Sequence, residues 1–253
     1  MFQQLVPVNK ERHAAKKVKR IESFDFASRF NLASVMVHEV ARAAAIYPIV
    51  FIDDKGEFRP VALLGLEPGE NLFVDASGRW HASYVPAIIR RYPFGLTTSG
   101  REGQFTVCID EGSPLVTDSE GAALFTDKGE PTEVIENVKR YLGELQQMDA
   151  FTREFCRFLR ENELLTPLTM RVRRANEVKN IAGCHVVNEE KLSKISDEKF
   201  LELRRRSYLP PIYAHLVSLS QLERLLMLKE EKVGGVKGAK PGVADDEPLV
   251  ATS

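Results

Sequence analysis

Side chains that could carry out chemistry concentrate in one stretch of the chain, residues 67–91. The candidate binding residues in it are Glu70, Asn71, Asp75, Arg79, Trp80, Tyr84, Arg90 and Arg91. Carboxylates can transfer protons, whereas aromatic rings and guanidinium groups are enriched where proteins recognise one another. This combination predicts a site for recognition, and it assigns no catalytic residue.

Three interpretations of this stretch remain open. In the first, Trp80 anchors the hydrophobic core and the nearby acids cap turns. In the second, the stretch forms loops on a rigid sheet and binds a partner or ligand, because such loops commonly carry binding sites. In the third, the same side chains catalyse a reaction.

Motifs of known catalytic or metal chemistry are missing from the sequence, which has no GxGxxG, Walker loop, HExxH, GxSxG or CxxC. The five histidines show no paired spacing. We therefore predict no metal site and no cofactor. The three cysteines, Cys108, Cys156 and Cys184, are far apart, and we expect them to be buried structural thiols in a reducing compartment.

The charge balance argues against a dedicated nucleic-acid-binding protein. Lys and Arg number 35 against 36 Asp and Glu, which gives a net charge of -1, whereas proteins that bind phosphate backbones usually carry a basic excess. One basic run at residues 10–20 stands out. It is typical of a solvated arm or helix face, and the alternative is a surface that binds an anionic partner.

The start of the chain predicts a cytoplasmic protein. It lacks the basic start, the apolar stretch and the small-residue cleavage site of a signal peptide. The longest strongly apolar runs, at 49–52 and 61–66, are far shorter than the ~20 residues that span a bilayer. We expect a soluble protein without a membrane span.

Periodicity predicts an α+β fold with a mixed or largely antiparallel sheet, packed by one long helix and by C-terminal helices. Apolar residues at helical spacing extend from 131 to 164, and this helix could also form a homodimer seam. Turn residues between two β-rich runs predict a hairpin at 49–66. Shorter elements are predicted as a helix at 34–46 capped by Ser34, a strand at 71–75, a helix at 84–92 and a helix after Ser196.

The domain organisation follows from the same patterns. Residues 1–232 carry enough apolar periodicity for a single domain, and we find no internal repeat. Residues 233–253 are rich in glycine and charged residues, so they have little to bury and are predicted to be a disordered tail.

An ordered series of strings across most of the chain resembles the bacterial SapC family. The strings are Tyr-Pro-Ile-Val-Phe at 47–51, Phe-Arg-Pro-Val-Ala-Leu-Leu-Gly-Leu at 58–66, Gly-Glu-Asn-Leu-Phe-Val-Asp at 69–75, Tyr-Val-Pro-Ala at 84–87, Arg-Arg-Tyr-Pro-Phe at 90–94 and Phe-Leu-Glu-Leu-Arg at 200–204. This family differs from the peptide-transporter permease and the saposin that share its name, because the first spans a membrane and the second is a short disulfide-linked helical domain.

The resemblance implies an accessory role. Members of the family are described as associated with a crystalline surface layer or its secretion, and others as accessory proteins encoded near outer-membrane nutrient receptors. We therefore expect a non-enzymatic binding protein with protein partners, and surface association would require a non-classical export route. The alternative is an enzyme or small-molecule sensor with its site at residues 70–91.

Overall fold

A computed structural model describes residues 2–98, 105–174 and 177–234. Its α-helices are α1 (Lys10–His13), α2 (Val37–Ala43), α3 (Ala87–Arg90), α4 (Glu133–Glu161), α5 (Glu189–Ser193), α6 (Asp197–Arg205), α7 (Leu209–Ser218) and α8 (Gln221–Gly234). Its strands are β1 (Leu5–Pro7), β2 (Lys17–Val18), β3 (Leu32–Ser34), β4 (Ile49–Asp54), β5 (Glu57–Leu63), β6 (Phe94–Thr98), β7 (Phe105–Asp110), β8 (Val116–Thr117), β9 (Ala122–Ala123), β10 (Leu165–Arg174) and β11 (Glu177–Val187).

The strands of the described residues form three antiparallel sheets. The largest has the order β10-β11-β4-β5-β3, and two smaller sheets have the orders β1-β7-β6 and β8-β2-β9. The predicted hairpin is confirmed as β4 and β5, in which Asp54 pairs with Glu57 around a tight turn. With the long helix and the C-terminal helices, this arrangement confirms the predicted α+β class.

Helix α4 accounts for the long apolar periodicity, and the chain leaves it in a Schellman motif. The N–H of Leu164 donates to the carbonyl of Leu159 and that of Glu163 to the carbonyl of Arg160, both at 2.9 Å. Glu163 has a φ of 52°, the left-handed value that this motif requires. Helix α4 therefore ends at Glu161, three residues before the predicted boundary.

Helix α2 is shorter than predicted, and Ser34 does not cap it. Ser34 is the last residue of β3, and the helix begins at Val37. The N–H of Val37 donates instead to Oγ1 of Thr152 on α4, at 3.0 Å. Thr152, a polar residue in the apolar stripe of α4, thus provides a hydrogen-bond acceptor for the first N–H of α2. Only the packing of the two helices could reveal this contact.

Two predicted elements near the candidate site are reduced to turns. The strand predicted at 71–75 consists of a single bridge between Val74 and Trp80, and the helix predicted at 84–92 is the one-turn α3. Side chains of Asn71 and Asp75 bond to the backbone of this region and compete with strand pairing.

Buried apolar side chains of the described residues form three clusters. One lies under the β3–β5 sheet and α8, one joins β4 to α4 and α7, and one lies between the β1-β7-β6 sheet and the first half of α4. All three cysteines are buried and free, as predicted. Burial raises the pKa of the Cys156 thiol to about 12, which makes it unreactive at neutral pH.

The predicted homodimer and tail remain untested. The large apolar side chains of α4 are buried or half-buried within the chain, and its exposed residues are mostly charged or polar. The predicted tail lies outside the described residues, except for Val233 and Gly234, which end α8.

Candidate functional site

Glu70 and Asn71 stabilise the loop that follows β5. Asn71 is fully buried, donates to the carbonyl of Ala27 at 2.9 Å and accepts from the N–H of Phe73 at 2.9 Å. Glu70 accepts from the N–H of Leu66 at 3.2 Å and pairs with Lys229 of α8. Both side chains hold the loop against other parts of the fold.

Substituting alanine for Asn71 tests this structural role. The change leaves the N–H of Phe73 unpaired in the interior and removes one of the two hydrogen bonds that the carbonyl of Ala27 accepts, the other coming from the N–H of Phe30. We therefore expect the free energy of unfolding to fall by about 2 kcal/mol. Urea denaturation measures the loss. Gln147, an exposed residue of α4, supplies the control, because Gln147→Ala should change stability by less than about 0.5 kcal/mol. Equal losses in the two variants would contradict the assignment.

Asp75 organises the turn that leads to Trp80. Its Oδ1 accepts from the N–H of Ser77 at 2.8 Å and the N–H of Arg79 at 3.0 Å. Hydrogen bonds from Ser77 and from the exposed ring of His81 hold the pKa of the Asp75 carboxyl well below its ordinary value. Arg79 contributes its backbone to this turn, and its side chain is exposed.

Trp80 is a core anchor, as the first of the three interpretations proposed. Its Nε1 donates to the hydroxyl of Tyr47 at 2.9 Å, and that hydroxyl in turn donates to the backbone carbonyl of Tyr84. The ring of Phe24 meets the indole edge to face at 5.4 Å. Burial raises the pKa of Tyr47, so this hydroxyl remains a proton donor.

Glu39 of α2 is a central residue of the site that sequence reasoning missed. Its Oε1 accepts from the hydroxyl of Tyr84 at 2.7 Å and from the N–H of Ala87 at 3.0 Å. Its Oε2 accepts from the N–H of Met36 at 3.1 Å. The available signal was a glutamate at the third position of a helix, where a carboxylate can reach back to the cap residue.

Arg90 is fixed between two tyrosine rings. Its Nε donates to the carbonyl of Val85 at 2.9 Å. Its guanidinium carbon lies 5.5 Å from the ring centre of Tyr84 and 5.9 Å from that of Tyr141. Burial, followed by the contacts with Glu39, raises the pKa of Tyr84 to about 12. Tyr84 and Arg90 are thus brought together, whereas Glu70 and Asp75 take part in other contacts.

A surface groove of about 300 Å³ begins beside these residues. Four cationic side chains from two separate segments line it, namely Lys19, Arg20, Arg90 and Arg91, and α4 closes the third side. No acidic residue of the described chain lines the groove. The structure therefore places the last two cations of the basic run, Lys19 and Arg20, beside Arg90 and Arg91, two of the predicted site residues.

A second surface feature lies on the C-terminal helices, at the groove of about 320 Å³ between α5, α6 and α7. Tyr213 is 50% exposed and Phe200 is 40% exposed, and both line the groove. Val217, one turn beyond Tyr213, is 71% exposed. We call Phe200, Tyr213, Leu216 and Val217 the apolar helix surface.

No group of three or more His, Cys, Asp or Glu side chains in the described part of the chain is arranged to hold a metal ion. None of the helices at residues 2–98, 105–174 and 177–234 has both the length and the apolar character needed to cross a bilayer.

Comparison with known proteins supports the resemblance found in the sequence. The family model described as SapC matches residues 8–225, which is most of the chain. No curated protein and no solved structure matches the chain.

Proposed function

The chain belongs to the SapC family, and from this premise we propose that it is a non-enzymatic accessory protein that binds another protein. The observation that carries the proposal is the apolar helix surface, where Val217 is 71% exposed. Large apolar side chains on neighbouring helices cost free energy in water and commonly mark an interaction site. We propose that the partner belongs to a surface-layer or outer-membrane nutrient-uptake system.

Charge around the apolar helix surface indicates the chemistry of the partner. Glu189 and Asp197 line the same groove, and neither forms an ion pair within the described residues. A groove lined by both apolar and acidic side chains complements a segment that carries both apolar and basic side chains. We therefore propose that the groove receives a basic amphipathic segment of the partner protein.

The roles of the polar residues at the candidate site support binding over catalysis. Asn71, Asp75 and Glu39 use their side chains to satisfy backbone N–H groups. Groups committed in this way are poorly placed to bind or activate a substrate. A cytoplasmic location remains part of the proposal, and it rests on the three buried, free thiols.

A charge-insertion variant tests the protein-binding surface. In Val217→Lys the new ammonium group would lie in the contact and repel a basic segment, and the high exposure of position 217 lets the variant fold. We expect the wild-type chain to co-purify a discrete protein from its native host. After purification of both proteins, Val217→Lys should bind at least about tenfold more weakly, as measured by isothermal titration calorimetry.

The matched control is Ala150→Lys, which places the same side chain on the exposed face of α4. This variant should bind the partner like the wild-type chain. Equal affinity of Val217→Lys and Ala150→Lys would refute the proposed surface, and so would recovery of no partner above background.

A small-molecule sensor is the second candidate function. The basic groove beside Arg90 and Arg91 favours it, because a compact groove with convergent charged groups is typical of ligand sites.

A further inference from the structure

We propose that the basic groove binds a small anionic molecule, a carboxylate or phosphate group carried on an apolar body. This inference does not depend on the protein-binding surface, which lies on other elements. The sequence left open that the basic run at residues 10–20 binds an anionic partner. The inference assigns that role to the end of the run, together with the arginine pair at positions 90 and 91.

The state of Arg91 is the first argument. Its Nε is buried and has no hydrogen-bond acceptor among the described residues, and its guanidinium carbon lies 5.4 Å from the ring centre of Phe2. Burial lowers the pKa of this guanidinium below its ordinary value. A partly buried cation without an anionic partner is unfavourable. Because Arg91 lines the groove, an oxyanion bound there would supply the missing negative charge.

The neighbouring cations provide the second argument. Arg20 is exposed and forms no ion pair within the described part of the chain, and Lys19 pairs with Glu120 at 2.6 Å. Arg90 is held in place by the carbonyl of Val85 and by the two tyrosine rings. Fixed guanidinium groups match the two oxygens of a carboxylate or phosphate with little loss of side-chain entropy.

The walls and size of the groove define the rest of the ligand. Apolar side chains of Ile21, Phe94, Val138 and Leu142 line it together with the cations. A volume of about 300 Å³ lies at the lower end of the range found for ligand pockets, which suits a small molecule. The ligand therefore combines a charged head for the arginines with an apolar body for the walls.

Isothermal titration calorimetry with four probes at low salt tests this inference on the full chain. The probes are 4-phenylbutyrate, 4-phenylbutyl phosphate, the neutral 4-phenylbutyramide and inorganic phosphate. We expect at least one amphiphilic anion to bind more tightly than about 1 mM. The amide and inorganic phosphate should each bind about tenfold more weakly, since each lacks one half of the recognised chemistry. The stronger of the two anions identifies the head group.

Three variants complete the experiment. Arg91→Gln and the exposed Arg20→Gln should each weaken binding by about tenfold, and Arg20→Gln keeps the test valid if Arg91→Gln does not fold. Arg205→Gln, at the exposed end of α6, should leave binding unchanged. The inference is overturned if neither anion binds the wild-type chain, if the amide or inorganic phosphate binds equally well, or if Arg20→Gln matches Arg205→Gln.

Discussion

Replacing His215 by alanine is expected to lower the free energy of unfolding by about 4 kcal/mol, the largest effect that we predict. His215 of α7 is 1% exposed. Its Nε2 accepts from the N–H of Val187 at 3.1 Å, and its Nδ1 lies 2.8 Å from the carbonyl of Ile49. The ring thus joins β11, β4 and α7, and its removal leaves a cavity and two unpaired backbone groups. Urea denaturation measures the loss.

The same residue should make stability depend on pH in a defined direction. Burial lowers the pKa of folded His215 from 6.5 to about 4. Between these values the unfolded chain binds a proton that the folded chain does not, so stability falls as the pH drops. From about pH 7 to about pH 5 this residue alone should remove about 2 kcal/mol.

His215→Gln lacks this titration and should lose that part of the pH dependence. Denaturation curves of the wild-type chain and the variant at both pH values measure the difference. Gln147, an exposed residue of α4, provides the control, because Gln147→Ala removes no titratable group and should keep the wild-type pH dependence. An unchanged pH dependence in His215→Gln would show that the ring is not the titrating group.

Glu39→Ala is expected to cost about 3 kcal/mol of stability. The carboxylate is buried and accepts from Tyr84, Ala87 and Met36. Alanine leaves all three donors without their partner, whereas glutamine keeps one accepting oxygen and presents its amino group to the others. Glu39→Gln should therefore lose roughly half as much. Chemical denaturation of both variants measures the two losses of stability and shows which is larger.

The control for Glu39 is Glu154→Ala, at an exposed position of α4, which should change stability by less than about 0.5 kcal/mol. A loss in Glu39→Ala no greater than this would mean that water replaces the carboxylate at no cost. Intact folding of Glu39→Gln with weakened anion binding would further connect Glu39 to the positioning of Arg90.

Elements with local signals were predicted well. The β4–β5 hairpin needs only turn residues between two apolar runs, and Ser196 caps α6 by accepting from the N–H of Lys199 at 3.3 Å. Elements that depend on distant partners were predicted poorly. The start of α2 is satisfied by Thr152, more than a hundred residues away in the chain, and no local pattern records such a contact.

The candidate site shows the same division. The sequence identified Trp80, Tyr84, Arg90 and Arg91 as side chains suited to recognition, and the structure places Tyr84 and Arg90 together. It could not show that Glu39 joins them, because a glutamate near the start of a helix is common and usually exposed. Nor could it show that Lys19 and Arg20 line the same groove as the arginine pair, because the two segments are about seventy residues apart in the chain and meet only in the folded structure.

By itself, the sequence indicated the family through the resemblance of its ordered strings. It also predicted the α+β class, the long helix and the burial of the thiols, because residue type, periodicity and turn residues act over short distances along the chain. Only the tertiary structure decided which polar side chains form hydrogen bonds within the protein and which have no internal partner. That distinction depends on which groups lie close together in the fold. The side chain of Asn71 donates to the carbonyl of Ala27, whereas Nε of Arg91 has no acceptor in the described chain. A residue's type states what it can donate or accept, and packing alone states whether a partner is present.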